Sequence, residues 1–282
     1  MANRESSSHN TAEISSGANP RVRRITGLLR KRSERIREQV FIIEGIRTLR
    51  EAPAERIREI YLTRRAAENL SGKDRDLIEH LSCERTIVTD AVMERLSDTQ
   101  HPQGILAVVA MREAGPEELL GISTGAAVPR TAPLILLLEN LQDPGNLGTI
   151  LRMAEGAGVT GVLLTGSTAD PYNPKVVRGT MGSIFRVPFL YREKAGDAVQ
   201  ILKDHGVRLF AADPRGERIY TDADLTGPVA FLIGNEGAGL TAETLRAADE
   251  RVTIPMAGQL ESLNAGISAA ILSFEAARQR RP

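Results

Sequence analysis

Short, nearly unbroken apolar runs set the rhythm of the second half of this chain. LILLL at Leu134–Leu138 and VAFLI at Val229–Ile233 contain no polar position, and Gly161–Leu164, Phe185–Val187, Val207–Ala211 and Val252–Ile254 read as further strands. Strands apolar on both faces belong to a parallel sheet covered by helices, because a half-solvated sheet would alternate apolar and polar residues. Helical segments fall between them. Asn173 and Pro174 suit the N-cap and first position of a helix through KVVRGTMG. A last helix runs from about Leu263 to Arg280, where ARQRRP places cations at its C-terminus. The first half is also α/β, with shorter strands predicted at Val40–Ile43, Glu59–Leu62, Thr86–Val88 and Ile105–Val109.

These patterns divide the 282 residues into four segments. Residues 1–19 are Ser/Asn-rich with nothing to bury and are expected to be disordered. Residues 20–112 form a basic helix and a small α/β domain. Residues 113–132 combine Gly, Pro and Ser as a linker, and residues 133–282 carry the regular alternation.

Charge changes this picture at one place. The formal net charge is +0, yet Arg21, Arg23, Arg24, Arg30, Lys31, Arg32, Arg35 and Arg37 stand against Glu34 alone, 8 − 1 = +7. Arg21, Arg23, Arg24, Arg30, Lys31 and Arg32 are therefore candidate contacts to RNA phosphates; the plainer alternative is a solvated helix face. Val22, Ile25, Leu29, Ile36 and Val40 fall roughly at helical spacing, so one face is expected to pack. No apolar run approaches the ~18 residues of a membrane span, and the start lacks the apolar core of a secretory signal. A single cysteine, Cys83, suits a reducing cytoplasm and reads as a small core residue. There is no Cys/His cluster, so no metal site is expected.

The candidate chemistry lies at three strand ends. LLLLENLQDPGNLGTILRMAEGAGV places Asn140, Asn146 and Arg152 after the first strand, where open α/β sheets hold ligands. FLIGNEGAGL follows a second strand and VTIPMAGQLESLNAGISAA a third. GNEGAGL is neither a GxGxxG fingerprint nor a P-loop. Read plainly, it is a tight turn in which Glu236 caps a helix from Thr241, and Ser262 is the N-cap of the last helix. The histidines (His9, His80, His101, His205) all lie outside these loops, so a nucleophilic triad has no imidazole base. Glu236 and Glu261 show no division into acid and base. Amides, hydroxyls, one arginine and exposed backbone suit positioning of a transfer whose cosubstrate carries the reactivity.

DPGNLGTILRMAEGAGV, GNEGAGL and IPMAGQLESLNAGIS, in this order and spacing, resemble the three motifs of the SpoU-type (TrmH-like) RNA ribose 2′-O-methyltransferases of the SPOUT superfamily. KVVRGTMGSIFRVP is similar to the family's segment between the first two motifs, and the resemblance covers about Pro133 to Arg280. VFIIEGIRTLREA with HPQGILAVV resembles the small, ribosomal-protein-like substrate-binding domain many members carry in front. The resemblance implies a parallel-sheet catalytic domain with a deep trefoil knot, a homodimer, a cytoplasmic location, S-adenosylmethionine as methyl donor without a metal, and RNA as substrate, ribosomal RNA first and transfer RNA as the alternative. Asn146 and Arg152 match the family's catalytic Asn and Arg, Glu236 its second-motif glutamate, and Ser262 and Asn264 its third-motif pair. Gly234, Ile254 and Leu263 match cofactor positions, and Asn235, Gly237 and Met256 of the same loops are assigned with them. The family's arginine is often taken as the base for the hydroxyl proton. A guanidinium is a poor base, so Arg152 is expected to hold the phosphate and stabilise the developing alkoxide, with a desolvated Arg152 acting as base as the alternative. The chain departs from the family pattern at Thr149, where alanine is frequent, and at Ala265 and Gly266, where valine and serine are common. Two other readings compete: a non-catalytic RNA-binding protein, and a nucleotide-dependent enzyme on an ordinary Rossmann sheet.

Overall fold

A computed structural model of the chain describes residues 13–97, 99, 101–122 and 132–281. It divides into two units, residues 1–111 and 112–282.

In the first unit the order is α1 (Pro20–Arg30), α2 (Arg32–Glu38), β1 (Val40–Glu44), α3 (Ile46–Glu51), β2 (Ile57–Thr63), α4 (Arg64–Glu68), α5 (Gly72–His80), β3 (Glu84–Val88), α6 (Asp90–Leu96) and β4 (Ile105–Ala110). The sheet runs β1-β4-β2-β3; β4 is antiparallel to both neighbours and β2 is parallel to β3. Val22, Ile25 and Leu28 of α1 and Val92, Met93 and Leu96 of α6 cover one face through Ile42, Tyr61, Leu106 and Val108.

The basic segment differs from the single helix expected. It breaks at Lys31, whose backbone is extended (φ −119°, ψ 118°). The break resets the helical phase: Leu28 is buried, Ile36 is 50% exposed and Val40 belongs to β1. Arg35 is buried because its guanidinium donates to the Leu28 carbonyl at 2.6 Å, closing the C-terminus of α1. Order also reaches further toward the N-terminus than residue 20. Ile14 bridges Val88 and exchanges backbone hydrogen bonds with Ile87 and Thr89, extending the β3 edge. The first 12 residues of the expected tail lie outside the described residues. Cys83 is half-buried, and burial pushes its thiol up.

The second unit contains α7 (Pro116–Leu119), β5 (Leu134–Glu139), α8 (Pro144–Ala157), β6 (Gly161–Thr165), α9 (Pro174–Thr180), β7 (Phe189–Arg192), α10 (Ala195–Asp204), β8 (Arg208–Ala212), β9 (Arg218–Ile219), β10 (Val229–Ile233), α11 (Ala242–Ala247), β11 (Glu250–Thr253) and α12 (Ala265–Gln279). The sheet order is β7-β6-β5-β10-β8-β11-β9, parallel throughout. The apolar runs split by strand periodicity. Ile135, Leu137, Leu209, Ala211, Ala230 and Leu232 pack with Ala198, Val199 and Leu202 of α10. The opposite face carries Phe210 and Phe231, ring centroids 6.1 Å apart. There α12 packs on β5, β10 and α8.

Two segments differ from the sequence expectation. Phe185–Val187 is not a strand: Ser183–Phe185 is a 3-10 turn, and pairing with β6 starts only at Pro188, which has no N–H to give but whose carbonyl accepts from the Val162 amide. The segment read as linker holds α7, whose Leu119, with the following Leu120, is buried in the core; residues 123–131 lie outside the described residues. Among the described residues no helix is long and apolar enough to cross a membrane.

Helices α8 and α9 touch through glycines. A Cβ on Gly148 would meet the Gly179 Cα and the Val176 carbonyl at 3.1 Å, both rigid backbone. Overpacking of this kind costs about 1–3 kcal/mol, and a β-branched residue recovers little of the helix propensity that glycine lacks. Gly148→Val should therefore lower the unfolding free energy by that amount, read as a lower denaturant midpoint; an unchanged midpoint would show that the helices can separate freely.

Candidate functional site

The first of the three loops is built by a cap. The Asp143 carboxylate accepts from the Gly145 and Asn146 amides at 3.0 and 3.3 Å, Pro144 occupies the first turn, and α8 begins. This cap puts Asn146 on the buried face of α8 and Arg152 on its exposed face.

Asn146 joins all three loops. Its Nδ2 donates to Glu236 Oε1 at 2.8 Å, and its Oδ1 accepts from Asn264 Nδ2 at 2.8 Å. Asn264 in turn caps α12, its Oδ1 accepting from the Gly266 and Ile267 amides at 2.9 and 3.3 Å. A carboxylate thus stands at one end of two aligned amides and a helix N-terminus at the other. The polarity is consistent throughout, so the amides are held in one orientation.

These contacts correct two readings. Asn264, not Ser262, is the N-cap of α12; Ser262 is exposed in the preceding loop. Glu236 does not cap α11, because Thr241 does so through the Thr244 amide. That leaves the Glu236 carboxylate to Asn146.

The GNEG loop is a tight return. Asn235 and Gly239 exchange backbone hydrogen bonds. A Cβ on Gly234 would come within 2.2 Å of the Gly239 carbonyl carbon, so this glycine is needed for the loop's own closure. The Asn235 side chain is spent on architecture: Nδ2 donates to the Asn140 carbonyl, and Oδ1 accepts from the Gly237 and Ala238 amides. Glu139 was not singled out by sequence reasoning. Buried at the end of β5, it accepts from the Thr241 amide and hydroxyl and from the Thr244 hydroxyl at 2.8–2.9 Å. A carboxylate closing an apolar run was the signal that could have found it.

The second and third loops enclose a cleft of about 630 Å³, well within the size of small-ligand sites. Gly234, Asn235, Gly237, Ile254, Met256 and Leu263 all line it, with Ser262 and Glu236. Aliphatic side chains of Ile233, Leu240, Leu245 and Val252 supply an apolar wall. Asp213, Glu236 and Glu261 face a single cation, Arg215. An apolar wall, exposed loop backbone and surplus negative charge fit a purine nucleoside carrying a positive sulfonium and ammonium.

Arg152 is not part of the amide chain. It lies six residues beyond Asn146, about 9 Å along the helix axis, and is exposed without an ion pair among the described residues. The nearest candidate on its own helix, Glu155 at i+3, is already taken. Arg186 Nε donates to it at 2.6 Å and the Ser183 hydroxyl at 2.5 Å, which hold its carboxyl below the usual range. The departures from the family pattern are neighbours: a Cβ on Gly266 would stand 3.6 Å from Thr149 Cγ2, so the larger residue on α8 faces the smaller on α12.

The first unit sorts the basic residues. Arg21 pairs with Glu84 at 2.5 Å, and Arg24 bridges Glu38 at 2.6 Å and Glu59 at 2.8 Å. Arg23, Arg30 and Lys31 are exposed and form no ion pair among the described residues; Arg32 is exposed as well.

Residues 133–274 match the SpoU rRNA Methylase family, and residues 19–107 match the MRM3-like substrate binding domain. The chain is 33% identical over 264 residues to the 23S rRNA (guanosine(2553)-2'-O)-methyltransferase RlmP of Bacillus subtilis, covering 93% of this chain and 98% of that protein. It is 32% identical over 274 residues to the 23S rRNA (uridine(2479)-2'-O)-methyltransferase of Streptomyces viridochromogenes, covering 93% and 91%. The crystal structure of the SpoU methyltransferase AviRb from Streptomyces viridochromogenes with the cofactor AdoMet superposes with a TM-score of 0.81 at 31% identity, over 93% of this chain and 98% of that one. With its three loops joined through Asn146 beside one cleft and these matches spanning both units, the chain belongs to the SpoU rRNA methylase family.

Proposed function

We propose that this protein transfers the methyl group of S-adenosylmethionine to a ribose 2′-hydroxyl of ribosomal RNA. The observation carrying this reading is the joining of Glu236, Asn146 and Asn264 by hydrogen bonds of 2.8 Å at the edge of the cleft. When bound, S-adenosylmethionine supplies an electrophilic methyl on a positive sulfur. The 2′-oxygen would attack that carbon, the C–S bond breaking with its electron pair moving to sulfur and the hydroxyl proton passing to solvent water. Backbone of the loops at Gly234, Ile254 and Leu263 holds the cofactor, with Gly237 and Met256 closing the wall. Asn146 and Asn264, locked by Glu236 and the start of α12, present a fixed dipole beside the reacting groups. Ser262 lines the same edge. Arg152 takes the phosphate next to the target ribose and stabilises the alkoxide as it forms; with Glu155 occupied by Arg186, its charge is available.

Three further points belong to the same proposal. The chain from β11 into α12 is threaded as the family's trefoil knot, supported by a sheet order that inserts β10 between β5 and β8. The protein works as a homodimer, supported by Ile267 and Phe274, 51% and 43% exposed on α12, the helix that packs on α8. It acts in the cytoplasm, on RNA held by the first unit.

Arg23, Arg30 and Lys31, rather than the ion-paired Arg21 and Arg24, meet the RNA phosphates in the basic segment. Replacing these three with glutamine should weaken RNA binding and flatten the slope of log affinity against log salt by about 0.7 for each phosphate left unneutralised. Arg24→Gln should instead lower stability; an equal salt slope in both variants would remove the distinction. The function itself is tested by mapping 2′-O-methylation across total RNA with and without the gene. One discrete ribosomal site should disappear, and an unchanged map would refute the reading.

A further inference from the structure

One buried charged group facing the cleft has no part in the chemistry of methyl transfer. Asp213 follows β8 and opens a turn, Asp213–Pro214–Arg215–Gly216, closed by the Gly216 amide on the Asp213 carbonyl at 2.8 Å. Its Oδ1 accepts from the Arg215 amide at 3.0 Å, the ordinary work of an aspartate in such a turn. An exposed aspartate would serve that purpose equally well. Here the side chain is only 5% exposed, and its Oδ2 is buried with no hydrogen-bond partner among the described residues. Arg251 Nη1 stands 3.9 Å from Oδ2, beyond hydrogen-bond reach, and Arg215 Nε lies 3.7 Å from the other oxygen. A buried carboxylate oxygen without a donor is unfavourable unless something else supplies one. Asp213 lines the cleft with Ala212, Val252 and Ile254.

Position decides which part of a ligand it meets. In the sheet, β8 is two places from β5, with β10 between, so the end of β8 is about 10 Å from the end of the strand leading to Asn146. The methyl being transferred belongs near Asn146 and Glu236. Asp213 therefore faces the unreactive part of the cofactor, on the side walled by aliphatic residues that suit a purine nucleoside.

We infer that Asp213 is a cofactor-recognition residue whose free Oδ2 accepts a hydrogen bond from the adenosine half of S-adenosylmethionine. The donor is either a ribose hydroxyl or the adenine 6-amino group. This inference rests on the proposed methyl donor.

The test is calorimetric binding of S-adenosylhomocysteine and of 5′-methylthioadenosine, which lacks the amino-acid tail, to the full chain and to Asp213→Asn. Asparagine keeps an acceptor for the turn but removes the charge. Wild-type protein should bind S-adenosylhomocysteine; failure there would refute the methyl-donor reading itself. Given that binding, Asp213→Asn should weaken both ligands by a similar factor, about tenfold or more, with an unshifted melting temperature. S-inosylhomocysteine and the 2′-deoxy and 3′-deoxy analogues identify the donor, since the variant should lose nothing further on whichever ligand already lacks it. Unchanged affinity with a lowered melting temperature would reduce Asp213 to a turn residue. Weakened S-adenosylhomocysteine with unaffected 5′-methylthioadenosine would place the interaction on the methionine half and overturn the inference.

Discussion

Arg152→Ala should lower the methyl-transfer rate by about a hundred- to a thousandfold, the scale seen when one preorganised donor to a developing oxyanion is lost. Affinity for the methyl donor should stay unchanged, because Arg152 does not line the cleft. The fold should also hold, since the side chain is exposed and makes no ion pair among the described residues. Arg152→Lys separates the contributions: it keeps the charge but loses the planar fork that grips a phosphate through two hydrogen bonds. Single-turnover rates with saturating cofactor should therefore rank wild type above Lys above Ala. A variant that methylates at the wild-type rate would remove Arg152 from the reaction.

The second large effect is expected at Asn146, and its signature is different. Asn146→Ala leaves the Glu236 carboxylate and the Asn264 amide without their shared partner. Both groups are exposed and can turn to water, so the loss is the net worth of the two hydrogen bonds, about 0.5–1.5 kcal/mol each, and the melting temperature should fall together with activity. Turnover should drop by at least about a hundredfold, since the orientation of Asn264 at the start of α12 is lost with it. Asn146→Asp is the harsher change, placing a second carboxylate 2.8 Å from Glu236 where a donor stood. Loss of activity without any change in melting temperature would show that the chain of amides is not the structural tie described.

Arg152 and Asn146 differ in how far their surroundings could be read from sequence. The strands were legible because continuous apolar runs such as LILLL have few other uses, and their parallel pairing follows from burial on both faces. The three loops were legible as ligand loops because Gly, Pro and Asn cluster at strand ends. What joins them was not. Asn146 is 90 residues from Glu236 and 118 from Asn264 in the hydrogen bonds it forms, and no local pattern announces such pairing. Ser262 looked like a cap because serine suits that position, yet the cap lies two residues later, where Asn264 both opens α12 and reaches Asn146. In the basic segment, composition registered the charge without its acidic neighbours. Glu59 and Glu84 come from distant strands and neutralise Arg24 and Arg21. Asp213 was missed because Asp-Pro-x-Gly is a complete turn signal in itself; only burial distinguishes its free oxygen from an ordinary turn aspartate.

Transfer of the methyl group to a ribose oxygen is tested most directly by the position of the label in the product. Unmodified ribosomal RNA is incubated with the protein and methyl-labelled S-adenosylmethionine, then digested with alkali, which cleaves a phosphodiester only where the neighbouring 2′-hydroxyl is free. Label should appear in alkali-stable dinucleotides, and at least about a hundredfold more slowly for Arg152→Ala. Label released in mononucleotides would mean base methylation and would contradict ribose transfer.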